Sequence, residues 1–129
     1  MKMPTLAVIV VGLAVVAGCA QSPGRIYTHT EYHWGMSANM MGTLVLDEGG
    51  CLALRLAGTS GPAVSLVLPK KDASFDGTTL TLFGREYRVG GEFSAGGGSA
   101  SRDSVKINVP PGCTPTDGVA LISTQPSGR

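Results

Sequence analysis

Catalytic and metal-binding residue types are scarce in this 129-residue chain, which has 2 His, 3 Cys, 1 Trp, 3 Tyr and 3 Phe. Both imidazoles, His29 and His33, sit in one short N-terminal segment, and no Gly-x-Ser-x-Gly elbow occurs anywhere. A hydrolase of the nucleophile-and-base type therefore lacks its usual parts. Paired carboxylates are scarce as well: Asp47 and Glu48 fall in a turn, Asp72 and Asp76 flank a loop, and Asp103 and Asp117 are isolated. Charge of one sign is also lacking, with 10 Lys and Arg against 9 Asp and Glu. Lys2 belongs to the N-terminal leader, so the remainder is balanced and has no electrostatic footprint for nucleic acid. No Cys-x-x-Cys pair and no Gly-x-Gly-x-x-Gly run is present. The Gly96-Gly97-Gly98 cluster has neither a following Lys-Ser/Thr nor a helix to hold a phosphate.

One apolar run does stand out. After Met1-Lys2, residues Thr5 to Ala17 are uninterruptedly apolar or small, the layout of a secretory signal peptide. As a helix the run would be about 20 Å long, short of the ~30 Å hydrocarbon core of a bilayer. It ends in Val16-Ala17-Gly18-Cys19. This resembles the lipobox of bacterial lipoproteins over residues 1–19. The resemblance implies a diacylglycerol thioether on Cys19, cleavage between Gly18 and Cys19, and further acylation, such as by palmitate, on the new amine. Two or three acyl chains, at about 0.8 kcal/mol per buried CH₂, anchor a protein stably without a membrane span. In Gram-negative members Ala20, rather than Asp, after the Cys implies the outer membrane, with the protein facing the periplasm. A general signal peptidase cutting nearby would instead release a soluble protein.

Removing Cys19 from the thiol count leaves Cys51 and Cys113, an even pair. In an oxidising envelope one disulfide is expected, contributing about 4 kcal/mol in the chain-entropy model. The competing two-thiol metal or redox site lacks the close spacing such sites use.

The remaining pattern is period two. Leu44 and Leu46, then Leu52, Leu54 and Leu56, then Val64, Leu66 and Leu68 mark three strands. Leu80 with Leu82, Tyr87 with Val89, Val105 with Ile107 and Val109, and Val119 with Leu121 continue the series. Turn signals separate the runs: Asp47-Glu48-Gly49-Gly50, Gly58 to Pro62, and Asp76-Gly77. Pro69 and Pro110-Pro111 end strands. Ser94 to Ser101 reads as a flexible loop or hairpin tip. With 19 Gly, 8 Pro and no 3.6-residue apolar stripe after the leader, the expected fold is all-β. It is a small antiparallel β-barrel or sandwich of about six to seven strands, closure removing the exposed edges. The expected organisation is a signal peptide at 1–18, a lipid anchor, tether and His/Met/aromatic segment at 19–41, a β-domain at 42–124 and a tail at 125–129. The Gly50-Cys51 and Pro111-Gly112-Cys113 surroundings look like short extracytoplasmic β-domains of bacterial lipoproteins, a likeness that implies no activity.

Residues 27–41 hold both His, the only Trp and all three Met beyond the leader. His29, Glu31, His33, Met36 and Met40 offer imidazole, carboxylate and thioether donors of the kind an exported copper site uses. In a strand His29, Glu31 and His33 would share a face; in a helix His29, His33, Met36 and Met40 would. Tyr27, Tyr32 and Trp34 suit a partner-binding surface. The structural alternative is a first strand or lid, with Tyr32, Trp34 and Met36 filling the barrel mouth.

The leading expectation is a non-catalytic β-domain, anchored to a membrane, that needs no cofactor and binds a protein or polymer of the envelope. A copper- or metal-binding lipoprotein is the second. A third is inhibition of a cell-wall lytic enzyme, because periplasmic lysozyme inhibitors are similar small lipidated β-barrels with a disulfide. Their Ser-Gly-x-x-Tyr motif stands here as Phe83-Gly84-Arg85-Glu86-Tyr87, with Phe in place of Ser.

Overall fold

The computed structural model describes residues 24–30 and 38–123. Cys19, the leader, Glu31, Tyr32, His33, Trp34, Met36 and the tail at 125–129 lie outside the described residues. The described chain is all-β, and five of its strands close into a barrel. These are β2 (Ala38–Leu46), β3 (Leu52–Leu56), β4 (Val64–Pro69), β8 (Glu92–Ser101) and β9 (Gly118–Ile122). Around the ring β2 pairs with β3 and β8, β3 with β4, and β9 joins β8 to β4. A short strand β1 (Tyr27–His29) lies alongside β4, and a three-stranded meander, β5 (Ala73–Phe75), β6 (Thr79–Leu82) and β7 (Arg85–Arg88), is inserted between β4 and β8.

The alternation in the sequence becomes the barrel wall. Leu44 faces Leu54 and Leu46 faces Leu52 across β2 and β3, so each second residue of these strands points the same way. Leu44, Leu52, Leu54, Leu66, Leu68, Phe93 and Ile122 fill the interior. The meander adds Phe75, Leu80 and Leu82 to the same core, and its alternating Thr79 and Thr81 remain half-buried. At about 1.5–3 kcal/mol for each fully buried side chain of this size, the interior is the main stabilising term.

β4 and β9 differ from the others because both of their faces are covered. Val67, Val119 and Leu121 alternate with the interior residues and pack outside the barrel against Tyr27 and Cys51. Val105 and Ile107, from the long connection between β8 and β9, close over that second cluster. Double burial explains why Ser65–Pro69 and Val119–Ile122 are buried at every position, the near-continuous apolar run expected of strands covered on two sides. It also accompanies two parallel pairings, β1 with β4 and β4 with β9, so the barrel is not wholly antiparallel.

Two segments depart from the sequence expectation. Ser94 to Ser101 is not a flexible tip: it belongs to β8, which runs between β2 and β9. Glycine there serves close approach, since a Cβ at Gly97 would collide with the Leu121 carbonyl oxygen. Gly42, in the neighbouring strand β2, meets the Arg55 carbonyl of β3 in the same way. The second departure is Val105 to Val109, which forms no strand. It follows a 3-10 turn at Arg102–Ser104 and makes one isolated bridge, between Asn108 and Thr28. Its alternation reflects Val105 and Ile107 packing inward, while Val109 is exposed.

The expected turns are in place. Asp47 Oδ1 accepts hydrogen bonds from the Gly49 and Cys51 backbone N–H groups, both at 2.9 Å, and shapes the β2–β3 hairpin. The β6–β7 hairpin is tighter, with Phe83 at φ 50° and Gly84 at φ 77°. A bulky residue rarely adopts positive φ. Phe83 is held there by its N–H, which donates to the Asp72 carbonyl at 3.1 Å, and by its ring packing on the core.

Candidate functional site

Three of the residues expected to bind a metal or a partner fall within the described segments, and all three are part of the fold. Tyr27, expected on a contact surface, is fully buried in the second cluster. Its register partner in β4 is Val67, and its hydroxyl donates to Asp47 Oδ2 at 2.8 Å. Burial, reinforced by that hydrogen bond, pushes the phenol up to about 12. His29, in the same strand, is also fully buried, and its Nε2–H donates to the Ile122 carbonyl at 2.8 Å. That bond occupies one of the two ring nitrogens a metal would use. Met40 lies in the barrel interior with 6% exposure. These positions make Tyr27 a packing residue rather than a contact residue. Glu31, His33, Met36, Tyr32 and Trp34 lie outside the described residues.

Cys51 and Cys113 are joined in a disulfide, with 6.2 Å between their Cα atoms. The bond ties the start of β3 to the connection that covers the second cluster. Thr116 and Ser65 hold the same connection to β4 by reciprocal backbone-to-hydroxyl hydrogen bonds, both at 2.9 Å. The Asp47 carboxylate lies within 4.8 Å of both sulfurs. Because the sulfurs are bonded to each other, neither is a thiolate ligand.

The described surface does contain a concave site, at a place the sequence did not mark. A cleft of about 540 Å³ opens where β2, β3 and β8 meet the meander, and Met41, Arg55, Leu56, Tyr87, Glu92 and Phe93 line it. The strand registers explain its outer row. Thr43 pairs with Arg55 on one side and Glu92 on the other, so the backbones of Arg55 and Glu92 stand two strand spacings apart, roughly 10 Å, with Thr43 between them. A second hollow of about 240 Å³ continues past Tyr87 and takes in Phe83, Arg85 and Gly96. Tyr87 and Ser94 border both hollows.

Tyr87 is fixed in this position. Its hydroxyl donates to the Ser94 carbonyl at 3.1 Å, and its ring packs on buried Phe93 with centroids 4.9 Å apart and planes tilted by 55°. Such an edge-leaning geometry is favourable for aromatic pairs. Arg55, Arg85 and Glu92 are exposed, and among the described residues the recorded ion pair is Arg102 with Asp117, elsewhere on the molecule. The cleft is thus a rigid aromatic and aliphatic floor with unpaired charges at its rim. Among the described residues its lining combines one carboxylate, one guanidinium, several hydroxyl groups and an aromatic ring, a set that can hold a ligand.

No protein-family model, no curated protein and no solved structure matches the chain. The class that can be stated is therefore structural: a disulfide-bonded, five-stranded β-barrel with an inserted meander.

Proposed function

We propose that this chain is an exported lipoprotein, anchored to a bacterial membrane through Cys19, whose β-domain binds a protein or polymer of the envelope without catalysing a reaction. The lipobox-like Val16-Ala17-Gly18-Cys19 supports the anchor. The Cys51–Cys113 disulfide fits an oxidising compartment. The observation that carries binding is the cleft around Tyr87, preformed, partly apolar and rimmed by Arg55 and Glu92, which have no ion-pair partner among the described residues. A fold by itself supplies no function, so the reading rests on that site.

The test is photo-crosslinking in intact envelopes, with a benzophenone amino acid introduced at Thr59 on the cleft rim. A discrete adduct that disappears when Tyr87→Ala is added supports the reading. An adduct unchanged by that variant, or none at all, overturns it.

A further inference from the structure

The two hollows bracket one fixed aromatic ring, and each contributes a guanidinium, Arg55 in the larger and Arg85 in the smaller. From this arrangement we propose that the cleft takes an acidic oligosaccharide, lying along β8 with one sugar ring on each side of Tyr87. The proposal deepens the binding reading given above and rests on it.

Charge complementarity comes first. Arg55 and Arg85 have no acidic partner among the described residues, so each offers planar paired donors to an incoming carboxylate. Glu92, opposite Arg55, is a hydrogen-bond acceptor. A chain of carboxylates alone would be repelled there. A ligand that carries carboxylate and hydroxyl groups together meets both rim charges with the right partner, and acidic sugars have that combination. Thr43, Thr59 and Ser94 add hydroxyl groups around the same opening.

The floor favours a ring over an extended peptide. Tyr87 is held by its hydrogen bond and by Phe93 and borders both hollows, so a pyranose entering either one can bring its C–H bonds against a ring already in place, with little ordering cost. A peptide adding as a strand would need open backbone groups on β8. The Ser94 carbonyl already accepts from Tyr87, and the Gly96 carbonyl accepts from the Ser123 backbone N–H at 3.0 Å.

The experiment titrates the purified, disulfide-intact protein with tetragalacturonate, following backbone amide shifts and heat. Maltotetraose and tetraglutamate serve as the neutral-sugar and acidic-peptide arms. The expected result is saturable tetragalacturonate binding with shifts at Arg55, Tyr87 and Ser94, and weak or no response to the other two. Arg55→Gln and Arg85→Gln, on exposed side chains, should each weaken binding roughly tenfold, the loss of one charge-assisted contact. Tyr87→Phe should retain most of the affinity and Tyr87→Leu should lose it. Equal binding of tetraglutamate, equal binding of maltotetraose, no saturation at millimolar sugar, or indifference to the arginine variants would each overturn the proposal. A Tyr87-dependent crosslink in envelopes alongside no sugar binding would reject the sugar and leave the binding site standing.

Discussion

The Tyr27 hydroxyl donates a 2.8 Å hydrogen bond to Asp47 Oδ2, joining the buried strand beside β4 to the hairpin between β2 and β3. Asp47 uses its other oxygen to hold that hairpin, so one carboxylate serves two elements. Tyr27→Phe removes a donor from a buried site and should cost about 1–3 kcal/mol, measured by urea unfolding at neutral pH. The same contact sets an alkaline limit. A phenol that ionises at 10.0 when unfolded and at about 12 when folded contributes its stabilisation in full below pH 10. Between 10 and 12 the native state still holds a proton that the unfolded state has released, so stability falls. Unfolding midpoints from pH 8 to 12 should decline more steeply for the wild type than for Tyr27→Phe.

Breaking the covalent tie should be felt strongly. The Cys51–Cys113 loop spans 62 positions, and its loss by the double change Cys51→Ser with Cys113→Ser should cost about 4 kcal/mol in the chain-entropy model. A thermal scan would show a large drop in Tm, and trypsin should then cut within residues 102–117, where Arg102 and Lys106 lie.

Glycines in this chain separate into two groups by what surrounds them. Gly97→Ala places a methyl against the Leu121 carbonyl in the β8–β9 ladder, and such overpacking should cost about 1–3 kcal/mol. Gly61→Ala, with open space around it, should change stability by less than about 0.5 kcal/mol. Paired denaturation curves decide the matter, and equal effects at the two sites would contradict the strand assignment of Gly97.

Asp76 organises the β5–β6 turn on the surface. The Thr78 backbone N–H, then the Thr79 N–H and the Thr78 hydroxyl, donate to its Oδ1 and hold its carboxyl below the usual range. Its stabilisation is present above the ordinary carboxylate pKa and is lost as pH falls through the lowered value. Asp76→Asn should therefore flatten the acid limb of the stability profile without moving the alkaline limb, read by circular dichroism from pH 2 to 7.

The proposed anchor makes its own prediction: Cys19→Ala should abolish incorporation of labelled palmitate and leave an unprocessed precursor, detected by mass spectrometry. Retained acylation would remove the basis for the anchor.

Local regularity made much of the fold readable. Leu44, Leu52, Leu54, Leu66 and Leu68 announced their strands because one face of each meets the core, and Asp47 to Gly50 announced its hairpin through turn chemistry. β8 was hidden because Gly96, Gly97 and Gly98 carry no side chains to alternate, although backbone crowding is what requires them there. Val105 to Val109 misled in the other direction: extended chain packed over a hydrophobic patch has the same alternation as a strand. The cleft was not legible at all. Met41, Arg55 and Tyr87 are far apart in sequence and ordinary in type, and only barrel closure makes them neighbours. The segment that attracted attention for its His and Met residues instead yielded, where described, a buried tyrosine, a hydrogen-bonded histidine and a core methionine.

The parallel union of β4 with β9 also governs the order of events in folding. Ser65, Leu66 and Val67 meet Val119, Ala120 and Leu121, so the ring cannot close until the chain has emerged past residue 122. Hairpins β2–β3 and β5–β6–β7 can form early from local contacts, whereas closure waits for a long-range pairing and is correspondingly slow. If the chain is exported as proposed, that delay suits it: its most stable arrangement would be unavailable until translocation had delivered the final strand.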